Sequence, residues 1–185
     1  LASRLARTVM TELVAISDYV VDLHTGGANR TNYPQVRCDF AKADSLALAQ
    51  AFGAPMLLHS AEIKGSIREA VSALGKTAIV YEGCESLRFD ELAIQKAMEG
   101  ILRLMHHLDM CAGAPEPFTS MELDGRKWLR AEVSGMFVRG VEYGREVHKG
   151  QILAQMTDPY GHQTYDIIAP FDGHVIGGKR SYVGC

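Results

Sequence analysis

The stretch Asp18-Tyr-Val-Val-Asp-Leu-His24 is rich in β-branched and aromatic residues, and it predicts a buried strand that ends at a histidine. Two further apolar runs, at residues 55–59 and 77–81, predict a second and a third strand. Segments with helical periodicity precede and separate the three strands. Such alternation is typical of an α/β fold with a mostly parallel sheet flanked by helices.

Four segments carry the helical periodicity, at residues 1–16, around 46–50, at 66–74 and at 90–109. The first has one apolar stripe, formed by Leu5, Val9, Leu13 and Ile16. The polar, glycine-rich residues 25–40 predict a long connection after the first strand, and long ordered connections often carry function.

The pattern changes at residues 113–117, where two prolines within three residues end the helical region and form a stiff linker. Beyond the linker, short strands are expected at residues 127–133, 135–138, 146–147, 151–156, 164–168 and 173–176. The sequence therefore predicts two domains: residues 1–114 form part of an α/β domain, and residues 115–185 form a small all-β barrel.

Composition excludes several classes of protein. The chain has 185 residues, 47% of them hydrophobic and 22% charged, which is typical of a globular protein. A net charge of −3 without a basic block argues against a nucleic acid partner, and no apolar run is long enough to cross a membrane. Four cysteines without a Cys-x-x-Cys pair favour a reducing, cytoplasmic location.

His24 is the first candidate site residue, because ligands and catalytic groups gather at the carboxyl ends of parallel strands. Neutral imidazole is a common zinc ligand, and Asp22, two residues earlier, is placed to orient the ring. The alternative is a structural histidine that is hydrogen-bonded to a loop.

Glu82 is the second candidate, since it follows the third predicted strand. A carboxylate that leaves a buried apolar strand is partly desolvated and suits a general base. The alternative is a solvated glutamate in a loop. Arg30 and Arg37, in the polar connection, are candidates for binding a substrate carboxylate, and the alternative is a pair of solvated loop arginines. His59 ends the second strand, where it could also face the site or serve as a structural histidine.

Four motifs carry a family resemblance. They are Val21-Asp-Leu-His-Thr25, Gly53-Ala-Pro-Met56, Gly65-Ser-Ile-Arg-Glu-Ala70 and Ala78-Ile-Val-Tyr-Glu82. In this order they resemble the succinylglutamate desuccinylase/aspartoacylase family, which is similar in fold and site to zinc carboxypeptidases. The resemblance implies that His24 is a zinc ligand and that Glu82 activates the attacking water. It also implies one Zn²⁺ per intact subunit.

The chain departs from the family pattern before His24. The family's first two zinc ligands are a histidine and a glutamate three residues later, and no such pair precedes His24 here. The chain also begins with Leu1 in what reads as the middle of a helix. We therefore expect a C-terminal portion of a deacylase that needs a missing N-terminal segment, binds zinc weakly if at all, and is inactive alone.

The tail also resembles biotinyl and lipoyl carrier domains, through Val147-His-Lys-Gly150 and Ala169-Pro-Phe-Asp-Gly173. Carriers attach their cofactor to a lysine on the intervening hairpin, and residues 156–161 contain none. The sequence thus predicts a barrel without biotin or lipoate.

The function implied by these features is a zinc-dependent deacylase, an amidohydrolase that releases the acyl group from a small N-acyl amino acid or a related N-acyl amine. Its substrate is a small molecule, and a homo-oligomer is compatible with the sequence. The alternative from another class is a non-enzymatic binding or interaction module built on the C-terminal β barrel.

Overall fold

The computed structural model describes residues 1–179, which fall into two units. The first unit comprises Leu1–His24, Pro34–Glu82 and Glu91–Gly125, and the second comprises Thr25–Tyr33, Gly83–Asp90 and the residues from Arg126 onward. The described helices are α1 (Ala2–Thr8), α2 (Ala43–Phe52), α3 (Ile67–Ser72) and α4 (Glu91–His107). The strands are β1 (Tyr19–Gly26), β2 (Arg30–Cys38), β3 (Met56–His59), β4 (Thr77–Glu85), β5 (Met121–Leu123), β6 (Met136–Arg139), β7 (Glu146–Val147), β8 (Ile152–Thr157), β9 (Thr164–Ile168), β10 (Gly173–His174) and β11 (Gly177–Lys179).

The main sheet has the strand order β1-β4-β2-β3-β5, and β11 pairs with β2. The β2–β3 and β3–β5 pairs are parallel, whereas β2 and β11 are antiparallel. Only three residues separate the end of β1 from the start of β2, too few to return along a strand, so the two strands run in opposite directions. The sheet is therefore mixed: β3 pairs in parallel on both sides, as the sequence predicts, whereas the pairing of β2 with β11 does not follow that prediction.

Helices flank this sheet on both faces. In β4, Ile79 and Tyr81 belong to a buried cluster that also contains residues of α2 and α4. The neighbouring Ala78 packs instead with Val71 of α3 and Val14, which lies in a short helical turn after α1. Because successive side chains of a strand point to opposite faces, these two clusters cover the two faces of the sheet.

Glycine allows the close packing of α2 against α4. The ring of Phe52 lies so near Gly100 that any side chain at that position of α4 would collide with it. Gly53 then ends α2 with a positive φ of 65°, the left-handed conformation that glycine adopts without strain. The long apolar face predicted at residues 90–109 thus packs against one face of the sheet.

Helix α3 begins with a sequence-encoded cap. Ser66 accepts a hydrogen bond from the Glu69 backbone N–H, and the Glu69 carboxylate accepts one from the Gly65 backbone N–H. This arrangement satisfies two N–H groups that the helix would otherwise leave unpaired. These two hydrogen bonds explain why the helix begins directly after Gly65 and Ser66.

The polar segment at residues 25–40 is not a long connection. Most of it forms β2, whose second half is buried, with Val36 and Cys38 in the core. Arg30 and Arg37 therefore lie on a strand, at its two ends, and not in a loop. The neighbouring strands β3 and β4 supply packing and hydrogen bonds to β2. These partners are distant in sequence, so the local composition did not indicate a strand.

Other boundaries differ as well. Strand β4 continues to Glu85, so Glu82 lies within the strand and not after it. Strand β5 pairs with β3 in the main sheet and was not predicted, and residues 127–133 contain no strand. Helix α1 continues through a π-helical turn, Val9–Leu13, and a 3₁₀ turn, Val14–Ile16, which together account for the helix predicted at residues 1–16.

The second unit is built from short strands. Strands β6, β8 and β9 form an antiparallel three-stranded sheet, and β7 pairs with β10. Across residues 1–179, none of the helices combines the length and the apolar character that crossing a lipid bilayer requires.

Candidate active site

The candidate site residues lie on one face of the main sheet. Val20 of β1 and Ala78 of β4 pack with α3, and Asp22, His24 and Glu82 follow them at even spacing. The alternation of side chains places all three on that same face. On β2, Val36 and Cys38 belong to the opposite face, so Arg37 also points to the face that carries Glu82.

Asp22 and His24 are in direct contact. Asp22 Oδ2 lies 3.0 Å from His24 Nε2, and the His24 side chain is 52% exposed. A carboxylate that binds one ring nitrogen fixes the orientation of the ring and turns the other nitrogen outward. The arrangement suits a histidine that offers Nδ1 to a metal ion.

Glu82 contacts Arg37 on the neighbouring strand. Arg37 Nη1 lies 3.0 Å from Glu82 Oε1, and the two side chains are only 26% and 12% exposed. A glutamate that is this deeply buried needs a compensating charge or hydrogen bonds, and Arg37 provides both. The structure thus brings together two of the residues that the sequence selected separately.

His24 and Glu82 lie near the same edge of the sheet. Strands β1 and β4 are neighbours, and the backbone N–H of Ser86, directly after β4, donates a hydrogen bond to the oxygen of Gly26 at the end of β1. Both strands therefore end at one edge, here called the site edge. His24 is two residues and Glu82 three residues from the ends of their strands.

His59 lies at the other side of the sheet. Strand β2 begins at the site edge and ends at Cys38, whose partner in the parallel strand β3 is His59. This end of β2 and β3 is here called the opposite edge. His59 Nδ1 accepts a hydrogen bond from the Phe40 backbone N–H at 3.1 Å there, and its ring packs against the Phe40 ring, so the contacts favour a structural histidine.

Arg30 lies in the second unit, with an exposed side chain. Its guanidinium lies 5.7 Å from the centre of the Trp128 ring, a cation–π contact. The structure therefore gives the two candidate arginines different partners: an aromatic ring for Arg30 and the Glu82 carboxylate for Arg37.

The donors on this face fall short of the zinc site that the resemblance implies. Within residues 1–179, no three His, Cys, Asp or Glu side chains are grouped closely enough to hold a metal ion. A zinc site needs about three protein ligands, and the Asp22–His24 pair supplies fewer. The described residues do not by themselves fit a complete zinc site.

Arg68 is a buried cation that the sequence reasoning did not select. Its guanidinium donates hydrogen bonds to the Ser60 backbone oxygen at 2.8 Å, to Ser60 Oγ at 3.2 Å and to the Ala61 oxygen at 3.2 Å. These bonds attach α3 to the segment after β3. The sequence does contain a signal for this burial. Arg68 lies in the first turn of a capped helix, directly after the apolar Ile67 and three residues before the apolar Val71.

Comparisons with known proteins agree with this architecture. The sequence profile of the Succinylglutamate desuccinylase/Aspartoacylase catalytic domain matches residues 1–108, which include Asp22, His24, Arg37 and Glu82. An N-alpha-acetyl-L-2,4-diaminobutyric acid deacetylase of Halomonas elongata is 29% identical over 160 residues, covering 79% of this chain and 46% of that protein.

Solved structures share the fold. The apo structure of the ectoine utilization protein EutE (DoeB) from Ruegeria pomeroyi superposes with a TM-score of 0.85 at 22% identity, covering 99% of this chain and 62% of that one. A succinylglutamate desuccinylase from Silicibacter sp. TM1040 has a TM-score of 0.84 at 22% identity, covering 99% and 59%.

This chain spans about half the length of the curated relative that it matches, and about three fifths of these solved structures. The profile match covers more than half of the chain, including every helix and the first four strands of the main sheet. The chain belongs to the succinylglutamate desuccinylase/aspartoacylase family.

Proposed function

We propose that this chain carries part of the active site of a deacylase that hydrolyses the amide bond of a small N-acyl amino acid or a related N-acyl amine. The observation that supports the proposal best is the arrangement on one sheet face. A carboxylate-oriented histidine and an arginine-paired glutamate lie on neighbouring strands that end at the same edge.

Glu82 is the proposed general base. In the reaction, a water oxygen attacks the acyl carbonyl carbon while the Glu82 carboxylate takes the water proton. The amide C–N bond then breaks, and the same proton passes to the leaving amine. The products are a free carboxylic acid and an amine. The low exposure of Glu82 supports this role, because a largely buried carboxylate is held close to the other groups of the same sheet face.

His24 is the proposed zinc ligand of this chain, with Asp22 orienting its ring. Because the described residues do not complete a zinc site, the remaining ligands would come from residues outside them. We propose one zinc ion per complete site, and weak or no zinc binding by this chain alone.

Exposed apolar side chains on β1 and on the helical segment before it are the proposed contact for the rest of such a protein. Strand β1 is at the end of the main sheet, and Leu23 on it is exposed. Leu5, Leu13 and Ile16 of the helical segment before β1 are exposed as well, although Val9 of the same predicted stripe packs against the sheet. Grouped apolar side chains of this kind mark protein contacts.

The substrate class follows from chemistry and similarity together. Arg30 and Arg37 are the candidates for binding a substrate carboxylate. The exposed guanidinium of Arg30 is compatible with that role. The Halomonas relative is a deacetylase of an N-acetylated diamino acid, so N-acetyl amino acids and N-acetyl diamino acids are the first compounds to test.

The remaining expectations stay predictions: closure of the β strands after residue 115 into a barrel, a domain boundary at residue 114, a cytoplasmic location and a homo-oligomer. The three-stranded and two-stranded sheets of the second unit are compatible with a barrel. Residues 156–161 contain no lysine for biotin or lipoate, so an intact mass without either group is expected.

The test compares the 185-residue chain with the longest form of the protein that carries it. Each is dialysed, its zinc content is measured, and a panel of N-acyl amino acids is assayed for release of the free amine. We expect zinc and hydrolysis in the longer form and neither in the chain alone. Hydrolysis of none of the panel by the zinc-loaded longer form would contradict the proposed function.

A further inference from the structure

An arginine and the proposed base form an ion pair across two neighbouring strands. Arg37 Nη1 lies 3.0 Å from Glu82 Oε1, and both side chains are largely buried. Solvent screens such a pair less than it screens an exposed one. The contact therefore restrains the Glu82 side chain more strongly than a surface salt bridge would.

A restraint of this kind matters for a general base. The carboxylate oxygen has to come within about 2.6–3.2 Å of the proton that it removes. A free glutamate side chain rotates about three bonds, whereas a planar guanidinium holds its partner in a defined direction. Misplacing a catalytic group by about 1 Å can cost a factor of about 10² in rate.

We propose that Arg37 is a positioning residue for Glu82: its guanidinium holds the carboxylate in the orientation from which it takes the proton of the attacking water. This inference rests on the proposed function. It assigns Arg37 to the base and leaves Arg30, which lies over the Trp128 ring, as the candidate for a substrate carboxylate.

Kinetics separate positioning from substrate binding. The variants Arg37→Met and Arg37→Lys are compared with wild type in the longest form of the protein, with the N-acyl substrate that wild type hydrolyses best. Lys42→Met is the matched control, because it removes a basic partner from another glutamate, Glu62, near the opposite edge.

A positioning role predicts that Arg37→Met lowers kcat about 10²-fold while KM changes less than about threefold. Arg37→Lys should recover part of the loss, since an ammonium group keeps the charge but not the fork of donors. Lys42→Met should stay within about twofold of wild type. A raised KM with unchanged kcat for Arg37→Met would overturn the proposal in favour of substrate binding, and unchanged values of both would assign Arg37 to structure alone.

A stability cycle tests the contact without any activity. Arg37→Met, Glu82→Gln and the double variant are made in the 185-residue chain, and their Tm values are measured. We expect the double variant to lose less Tm than the two single variants together, because either single change already removes the contact between the two groups. The pair Lys42→Met with Glu82→Gln should be additive.

The outcomes distinguish the two proposals. A wild-type protein that hydrolyses no N-acyl substrate overturns the proposed function and the positioning role with it. Additive Tm losses for Arg37 and Glu82 in an active protein overturn the positioning role alone.

Discussion

The two edges of the main sheet carry the same residue types in different settings. At the site edge, Asp22 contacts His24 through Nε2, and Glu82 is paired with an arginine. At the opposite edge, Asp39 lies 3.9 Å from His59 Nδ1, and Glu62 is paired with Lys42. An aspartate, a histidine and an ion-paired glutamate therefore do not define a site by themselves.

The two edges differ in the further contacts that their side chains make. His59 Nδ1 accepts a hydrogen bond from the Phe40 backbone N–H at 3.1 Å, and its ring packs against the Phe40 ring. Lys42 also donates a hydrogen bond to Ser72 Oγ, which attaches the opposite edge to the end of α3. His24 presents more than half of its side chain to solvent, and its Asp22 contact leaves Nδ1 pointing away. Local structure explains the groups of the opposite edge, whereas those of the site edge are the ones that we propose act on a ligand.

The largest expected effect is kinetic and should appear at the site edge only. Glu82→Gln removes the proposed base while keeping the shape of the side chain, and kcat should fall by about 10²–10⁴-fold in the longest form of the protein. Zinc content should stay as in wild type. Glu62→Gln, which removes the paired carboxylate near the opposite edge, should leave kcat within about twofold. An equal loss of kcat in Glu82→Gln and Glu62→Gln would contradict the proposed difference between the two edges.

A chemical probe tests whether the opposite edge is closed, through the thiol of Cys38. Burial raises the pKa of Cys38, at the end of β2, to about 12, so its thiol stays protonated at neutral pH. Only the thiolate reacts with iodoacetamide, so at pH 8 Cys38 should be labelled about 10³-fold more slowly than a thiol of ordinary pKa, and its rate should rise about tenfold per pH unit. Peptide mass spectrometry gives the rates, with the more exposed Cys111 as the internal reference. Fast labelling of Cys38 in the folded protein would show that the opposite edge is open.

The elements that the sequence predicted well are those whose signals are local. Strands β1, β3 and β4 are short apolar runs, and α4 has a long apolar face that needs no knowledge of its neighbours. Strand β2 was missed because Asn32 and Pro34 within it, and the glycines just before it, lower the local strand propensity, while its burial comes from strands distant in sequence. Its direction was missed for the same reason.

At the site, too, local contacts could be predicted from the sequence and contacts between distant segments could not. Asp22 and His24 are two residues apart on one strand, so their contact could be anticipated from alternation alone. The Arg37–Glu82 contact could not, because it depends on β4 lying between β1 and β2 in a strand order that differs from chain order. The sequence selected both residues but placed Arg37 in a loop, where no partner could be inferred.

A smaller effect concerns the orientation of the His24 ring. Asp22→Asn keeps the size of the side chain but removes the charge that holds Nε2, and changes to such partners of a metal-bound histidine weaken metal affinity by about 10–100-fold. We expect a loss in that range for zinc in the longest form of the protein, measured by competition with a chelator. His24→Ala should lose more than about 100-fold. Asp39→Asn, beside His59, serves as the control and should leave zinc affinity unchanged.

The smallest expected effect is a loss of stability at the opposite edge. His59→Ala removes the acceptor of the Phe40 N–H and the ring contact with Phe40, so unfolding should become easier by about 1–2 kcal/mol. The midpoint of urea unfolding of the 185-residue chain measures this change. His107→Ala, an exposed position in the last turn of α4, should shift the free energy of unfolding by less than about 0.5 kcal/mol. In the longest form of the protein, His59→Ala should retain its zinc and its kcat, because its ring belongs to the fold. If His59→Ala instead lost zinc as His24→Ala does, the histidine of the opposite edge would belong to the site, and the comparison of the two edges would fail.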